Sequence, residues 1–211
     1  MQTLDLKKEL KYLYAASAKK VDLVDVPAFN FIRIDGAIEA NATPGTSPGF
    51  QQAMQALYGA SYTLKFTLKK RPVDPVDYPV MALEGLWWVE DGHFEISQPG
   101  NWKYTVMILQ PDLITADLFE QAIQQLCRKK PNPAISRLRL ERFHEGLSIQ
   151  TMHIGPYASE PETVSRMHAF AEANGYRQRG GHHEIYLGDP LRTDPARLKT
   201  ILRLPVEKVG G

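Results

Sequence analysis

The stretch Gly180-Gly181-His182-His183-Glu184-Ile185-Tyr186-Leu187-Gly188-Asp189-Pro190 predicts a short strand between two breaks in the chain. Paired glycines and the Gly-Asp-Pro sequence interrupt regular structure, so the strand is confined to residues 182–187. Successive strand side chains point to opposite faces. Ile185 and Leu187 therefore share one face, which suits a hydrophobic core. His182, Glu184 and Tyr186 share the other face, and its polar character needs a separate explanation.

Glu184 permits two interpretations. A solvated outer face is the commoner place for a strand glutamate. The alternative is a carboxylate that faces a pocket, where it needs a partner because burying a charge is costly. The choice depends on which other side chains share the site.

Length and composition describe an ordinary globular protein. A chain of 211 residues is one large domain or two small ones, and a net charge of +1 gives no strong field for nucleic acid or an anionic membrane. No apolar run approaches the roughly 20 residues that span a bilayer, and the N-terminus lacks the apolar core of a signal peptide. The single cysteine, Cys127, excludes a disulfide framework. We therefore expect a cytoplasmic protein with no membrane partner, and Cys127 as a core or half-buried helix residue.

The first half of the chain predicts an N-terminal arm at residues 1–20 and then a strand, a helix and three strands. Ser47-Pro48 is a typical helix start, with serine as the cap and proline at the first position. Strict alternation of apolar and polar residues from Tyr62 to Lys70 predicts a half-buried strand. The predicted elements are a strand ending at Asp35-Gly36, a helix from Ser47 to Gly59, and strands at residues 62–70, 80–89 and 102–109, with a hairpin turn at Asp91-Gly92.

The second half has a similar order of elements. Ser159-Glu160-Pro161-Glu162 has the pattern of a capping box that opens a helix. The predicted elements are a helix at residues 112–130, two extended runs in residues 137–154 joined near Glu145-Gly146, a helix from Ser159, the strand at residues 182–187, a short turn capped by Asp194, and a strand at residues 200–206.

These two halves indicate an α+β fold of duplicated β-α-β-β modules. The pseudo-repeats cover about residues 21–110 and 111–208, within one domain of residues 21–211. Two antiparallel sheets side by side would leave a concave seam between the halves, which is a natural place for a ligand cleft.

Several kinds of chemistry are excluded by missing motifs. The chain has no Gly-x-Ser-x-Gly nucleophile elbow and no glycine-rich phosphate loop. A metal site could start from His182 and Glu184 and add His144 or His153, but these residues match no ligand set of known spacing. We therefore expect no metal and no cofactor.

The remaining signal is a group of aromatic residues together with two strand carboxylates, Glu84 and Glu184. Aromatic walls around one buried carboxylate suit a flat, apolar, often cationic ligand. Each aromatic taken alone is more simply a core residue. The aromatic group consists of Trp87, Trp88, Trp102, Tyr104, Tyr157 and Tyr186.

Four stretches of the sequence are distinctive together: Gly181–Pro190 with the following Arg192-Thr193-Asp194-Pro195 and Leu198-Lys199-Thr200, Met152-His153-Ile154-Gly155-Pro156-Tyr157, Glu84-Gly85-Leu86-Trp87-Trp88, and Tyr62-Thr63-Leu64-Lys65-Phe66. They resemble the GyrI-like small-molecule-binding proteins, and within them a standalone subgroup similar to hydrolases that open the cyclopropane rings of DNA-alkylating genotoxins. The resemblance extends over nearly all of residues 10–206.

The resemblance implies a cleft between the halves with Glu184 among aromatics. Other relatives serve as effector domains of multidrug-responsive regulators or protect gyrase. The short segment of residues 1–20 leaves no room for a helix-turn-helix, so we expect no direct reading of DNA. One sequence gives no support for or against association with gyrase.

Two functional hypotheses stay open. In the first, the protein is an enzyme in which Glu184 positions or deprotonates a water that attacks a strained carbon. In the second, it only binds drug-like molecules or a protein partner, and Glu184 is a counter-charge. The ligand-binding residues expected in either case are Trp87, Trp88, Tyr104, His153, Tyr157 and Tyr186.

Overall fold

The structure, a computed structural model, describes residues 1–90 and 101–210. The hairpin turn predicted at Asp91-Gly92 lies outside the described residues. None of the described helices combines the length and the apolar character needed to cross a membrane. In chain order the elements are β1 (Gln2–Thr3), α1 (Leu6–Glu9), α2 (Lys11–Tyr14), β2 (Asp22–Ala37), α3 (Pro48–Lys69), β3 (Val76–Asp77), β4 (Leu83–Trp88), β5 (Lys103–Gln110), α4 (Ala116–Lys129), β6 (Arg139–Ile154), α5 (Glu160–Ala173), β7 (Tyr176–Gln178), β8 (His182–Tyr186) and β9 (Lys199–Lys208), with short 3-10 helices at Pro133–Arg137, Tyr157–Ser159 and Pro195–Arg197.

The main sheet is antiparallel and has the strand order β6-β2-β5-β4-β8-β9-β7. Strand β6 also pairs with β9, through residues 148–154 of β6, so six strands form a closed ring. The protein is therefore α+β with antiparallel pairing, as expected. A single sheet that closes on itself replaces the two separate sheets of the prediction.

Strands β4 and β8 lie side by side in this ring and bring the two halves of the chain together. In the antiparallel register Gly85 is opposite Glu184, and Trp87 is opposite His182. The two halves have a similar order of elements, β2-α3-β3-β4-β5 and β6-α5-β7-β8-β9, in which β3 and β7 are short strands outside the predicted module. The β4–β8 pairing is what places side chains from both halves around Glu184.

Helix α3 corrects the strand predicted at residues 62–70, because the helix runs to Lys69 without a break at Gly59. Leu57, Leu64 and Leu68 are fully buried, at the spacing of one helix face, whereas Tyr62 is 47% exposed. Gly59 continues the helix and lets α4 approach closely, since a Cβ there would lie 3.1 Å from the Leu126 methyl groups. The alternation of apolar and polar residues from Tyr62 to Lys70 therefore does not mark a strand. It arises because the helix carries the exposed aromatic residues Tyr62 and Phe66.

Three smaller predictions were wrong. Strand β6 is one continuous 16-residue element and does not break at Glu145-Gly146. Ser159 makes no capping hydrogen bond to α5; its hydroxyl donates to the carbonyl oxygen of Pro156 at 2.8 Å. Cys127 is exposed, because it lies on the outer face of α4. The predicted caps at Ser47 and Asp194 are confirmed, each accepting a backbone N–H.

Candidate functional site

The polar face of β8 is buried. Glu184 is 8% exposed and His182 is 4% exposed, so a solvated outer face is the wrong interpretation. The Nε2 atom of His182 lies 3.1 Å from Oε1 of Glu184, which confirms that the two side chains share a face. Burial of a carboxylate at this position requires compensation from its neighbours.

A second carboxylate, Glu160, joins this pair. Glu160 begins α5 and is only 1% exposed. Ligand atoms of Glu160, His182 and Glu184 all lie within 4.8 Å of one another. Burial is the larger cause, and the negative charge of Glu184 the smaller, of a rise in the pKa of Glu160 to about 9. The Thr200 hydroxyl opposes part of that shift, but among the described residues no hydrogen bond of ordinary geometry reaches either oxygen of Glu160.

Aromatic side chains border the carboxylates. The indole Nε1–H of Trp87 donates to the hydroxyl of Tyr186 at 2.9 Å, and the rings of Tyr157 and Tyr186 meet edge to face with their centroids 6.0 Å apart. Burial and the charge of Glu184 raise the pKa of Tyr157 to about 12 and that of Tyr186 well above its usual value. Both phenols therefore stay protonated at neutral pH and can donate hydrogen bonds.

Gly85 makes this arrangement possible. A Cβ at this position would lie 2.8 Å from Nε1 of Trp87 and 3.2 Å from the Tyr186 hydroxyl. Any side chain opposite Glu184 on β4 would therefore separate the indole from the phenol. The close approach explains why the strand carries glycine among large residues.

The other predicted ligand residues lie further back. Tyr104 is 1% exposed and packs edge-on against Phe50 at 4.9 Å, behind Trp87. Trp88 is half-buried and follows Trp87 on the strand, so it points to the opposite face of β4. His153 is buried, with Nδ1 2.9 Å from the Thr163 hydroxyl, and it holds the turn that leads into α5. The structure thus brings Trp87, Tyr157 and Tyr186 to Glu184, but not Trp88.

The opposite face of β8 carries a buried ionic network that the sequence did not predict. Nδ1 of His183 lies 2.8 Å from Oε1 of Glu145, and its Nε2 lies 3.0 Å from Oε2 of Glu84. Tyr14 donates to the other oxygen of Glu84 at 2.5 Å, and Arg203 donates to Glu145 at 3.1 Å. These residues border a cavity of about 10 Å³, which has room for no more than one water.

The network is charged at neutral pH. Burial disfavours the charged form of His183, but the carboxylates of Glu145 and Glu84 outweigh it and raise the histidine pKa to about 9. Burial likewise opposes ionisation of Glu145, yet His183 and Arg203 together lower its pKa to about 2. The network joins the N-terminal segment to four strands and stabilises the interior of the ring.

A separate groove of about 540 Å³ lies between α3, α4 and the 3-10 helix at Pro133–Arg137. Its walls include Met54, Tyr58, Tyr62, Leu126 and Ile135. It shares no lining residue with the Glu184 cluster. Apolar and polar side chains both line the groove, and it is a useful comparison for any binding experiment.

The fold agrees with the comparisons to known proteins. Residues 19–207 match the model of the GyrI-like small molecule binding domain. The chain belongs to the GyrI-like family. No curated protein gives a significant match.

Several solved structures match most or nearly all of the chain. An uncharacterised conserved protein from Listeria innocua is 40% identical, with a TM-score of 0.88 over 97% of this chain and 100% of its own. A protein described as a hydrolase, also from Listeria innocua, is 37% identical, with a TM-score of 0.85 over 98% of this chain and 100% of its own. The C-terminal domain of EcmrR, at 13% identity and a TM-score of 0.54 over 90% of this chain and 98% of its own, shares the fold alone.

Proposed function

We propose that this GyrI-like protein binds flat, hydrophobic or cationic small molecules beside Glu184 and hydrolyses cyclopropane-containing genotoxins. The observation that carries the proposal is a buried carboxylate bordered by donors and aromatic surface. Glu184 is 8% exposed, Tyr157 and Tyr186 lie near enough for its charge to raise their pKa, and Trp87 donates to Tyr186. Such a group can attract a cation or activate a water, which a solvated glutamate on a flat surface does poorly.

Each residue has a role in this proposal. Glu184 accepts a proton from water as the water oxygen bonds to a strained ring carbon, and the ring carbon–carbon bond breaks. The electron pair of that bond passes to the conjugated carbonyl of the substrate, whose oxygen takes up a proton. Tyr157 and Tyr186, both protonated at neutral pH, are the donors best placed to stabilise that oxygen. Trp87 provides a flat surface for stacking.

The location of the site supports a cleft between two related halves. Trp87 and Gly85 come from the first β-α-β-β segment, and Glu184, Tyr186 and Glu160 come from the second. The repeated element order also supports an origin of the two halves by duplication. Hydrolysis is favoured over simple binding by the description of two relatives, 38% and 37% identical, as hydrolases.

The proposal is tested by following the chromophore of a cyclopropane-bearing DNA alkylator with wild-type protein and with Glu184→Gln. We expect ring opening by the wild type and a loss of at least a hundredfold in the variant, with binding of the compound retained. Glu162→Gln, an exposed glutamate on α5, is the matched control and should behave as wild type.

The alternative is a protein that binds such compounds without chemistry. Quenching of tryptophan fluorescence by the alkylator without any turnover would support it. Tyr62→Ala then locates the ligand, because it alters the groove between α3 and α4 and leaves the Glu184 cluster intact. Loss of quenching in Tyr62→Ala but not in Glu184→Ala would place the ligand in the groove and contradict the proposal.

A further inference from the structure

The Glu184 cluster has a feature that small-molecule hydrolysis by itself does not require. Two carboxylates, Glu160 and Glu184, are 1% and 8% exposed, and they lie within reach of one ion. Within residues 1–90 and 101–210, no lysine or arginine makes an ion pair with either. Two neighbouring buried negative charges repel each other and are stable only when a cation or a proton balances them.

The geometry points to a divalent cation. We propose that Glu160, His182 and Glu184 form a binding site for a first-row divalent metal ion, with Zn²⁺ or Mn²⁺ as the ions that suit it. The inference goes beyond the proposed function, which needs no metal.

Distances within the cluster fit this site. Protein ligands about 2.1 Å from a tetrahedral ion lie roughly 3.4 Å from one another. The measured separation between Nε2 of His182 and Oε1 of Glu184 is 3.1 Å, and the Glu160 oxygen lies within 4.8 Å of both. No hydrogen bond of ordinary geometry among the described residues fixes the Glu160 oxygens, and the Thr200 hydroxyl is the nearby polar group that an ion would compete with.

The ligand chemistry selects the class of ion. One imidazole and two carboxylates suit Zn²⁺, Mn²⁺ or Co²⁺, whereas Mg²⁺ and Ca²⁺ prefer six or more oxygen ligands. Two carboxylates also neutralise a divalent charge. Three protein ligands leave a fourth position for water or a substrate atom, as in catalytic zinc sites. An ion there would also lower the pKa of a bound water.

Rigid elements hold the three ligands. His182 and Glu184 are two residues apart on the same face of β8, which lies between β4 and β9. Glu160 is placed by the turn that His153 and Ser159 stabilise at the start of α5. Sequence spacing alone could not reveal the site, because Glu160 lies more than twenty residues from His182 and belongs to no metal motif.

The test is metal binding by the full chain, without any organic ligand. Protein freed of metal with a chelator is titrated with Zn²⁺ and with Mn²⁺ by calorimetry, and with Co²⁺ by visible absorption. We expect one ion per chain, and Co²⁺ bands of the intensity typical of four-coordination. Glu160→Gln and His182→Asn should each weaken binding at least tenfold, while Glu162→Gln binds as wild type.

Circular dichroism confirms that each variant folds, and if one fails, the other still decides the outcome. Absence of binding by folded wild type would overturn the inference, and so would binding that neither variant weakens. Turnover of the alkylator by metal-free protein would show that the proposed hydrolysis does not require the ion. Metal binding without turnover would support the site and contradict the hydrolysis.

Discussion

At the scale of single residues, the Glu84 carboxylate shows how the protein compensates a buried charge. Glu84 accepts from Tyr14 at 2.5 Å and lies 3.0 Å from His183, and all three side chains are nearly inaccessible. A buried acceptor that loses its donor retains the full cost of desolvation. The contribution of Tyr14 to the stability of this network therefore comes from its hydroxyl group.

We predict that Tyr14→Phe lowers the free energy of unfolding by about 1–3 kcal/mol, because it leaves Oε1 of Glu84 buried without its donor. Urea denaturation measures the change. Tyr12→Phe is the matched control, since Tyr12 belongs to the same short helix and is 52% exposed. Equal stability of Tyr14→Phe and wild type would show that the Tyr14 bond contributes nothing.

Gly85 allows a prediction about the site itself. In Gly85→Ala, the new methyl group meets the indole nitrogen of Trp87 at 2.8 Å, so the Trp87–Tyr186 hydrogen bond must break. We expect a shift in tryptophan emission and at least tenfold weaker binding of the alkylator, with the fold retained. Gly45→Ala, in a loop where the nearest atom is 3.7 Å away, is the control. Unchanged binding of the alkylator by Gly85→Ala would mean that the Trp87–Tyr186 hydrogen bond does not shape the binding site.

At the scale of elements, α3 shows how a pattern can mislead. Leu64 and Phe66 would share the buried face of a strand, but in the helix Leu64 is fully buried and Phe66 is 45% exposed. The helix prevails because its buried residues form one continuous face against the sheet and α4. Burial of this helix face stabilises the helix more than an alternating pattern over eight residues would stabilise a strand.

These two residues therefore respond differently to truncation. Leu64→Ala should cost about 2–5 kcal/mol of unfolding free energy, because it leaves a cavity in the core. Phe66→Ala should cost less than about 1 kcal/mol, since exposed side chains contribute little. Urea denaturation of both variants gives the comparison. Similar large losses in both would indicate that the two side chains are buried together, as in a strand.

At the scale of the whole molecule, the ionic network ties stability to pH. The folded pKa of Glu145 is about 2, below its ordinary value of 4.5, so its contribution is fully present above pH 4.5 and is lost as the pH falls toward 2. The shift corresponds to a contribution on the order of 3 kcal/mol. Because the network joins Tyr14 to β4, β6, β8 and β9, this loss affects the whole ring.

We predict that the unfolding free energy of wild type falls steeply between pH 4.5 and pH 2.5. Glu145→Gln should be less stable by about 3–5 kcal/mol at pH 7, since it leaves Arg203 and His183 buried without that carboxylate. Its acid dependence should also be shallower. The control is Glu207→Gln, an exposed glutamate paired with Arg177, which should keep the wild-type profile. An unchanged acid slope in Glu145→Gln would assign the pH dependence to other groups.

The sequence by itself determined the antiparallel α+β class, the caps at Ser47 and Asp194, the face of β8 that carries Glu184, and the family. These features depend on residues close together in the chain, where turn chemistry and strand alternation act directly. Only the tertiary structure decided that Glu160 meets His182 and Glu184, and that His183 faces a second set of charges. Those contacts join residues twenty to a hundred positions apart, and no local preference encodes them. They arise because β4, β6, β8 and β9 pair in one closed ring, which fixes which buried charges become neighbours.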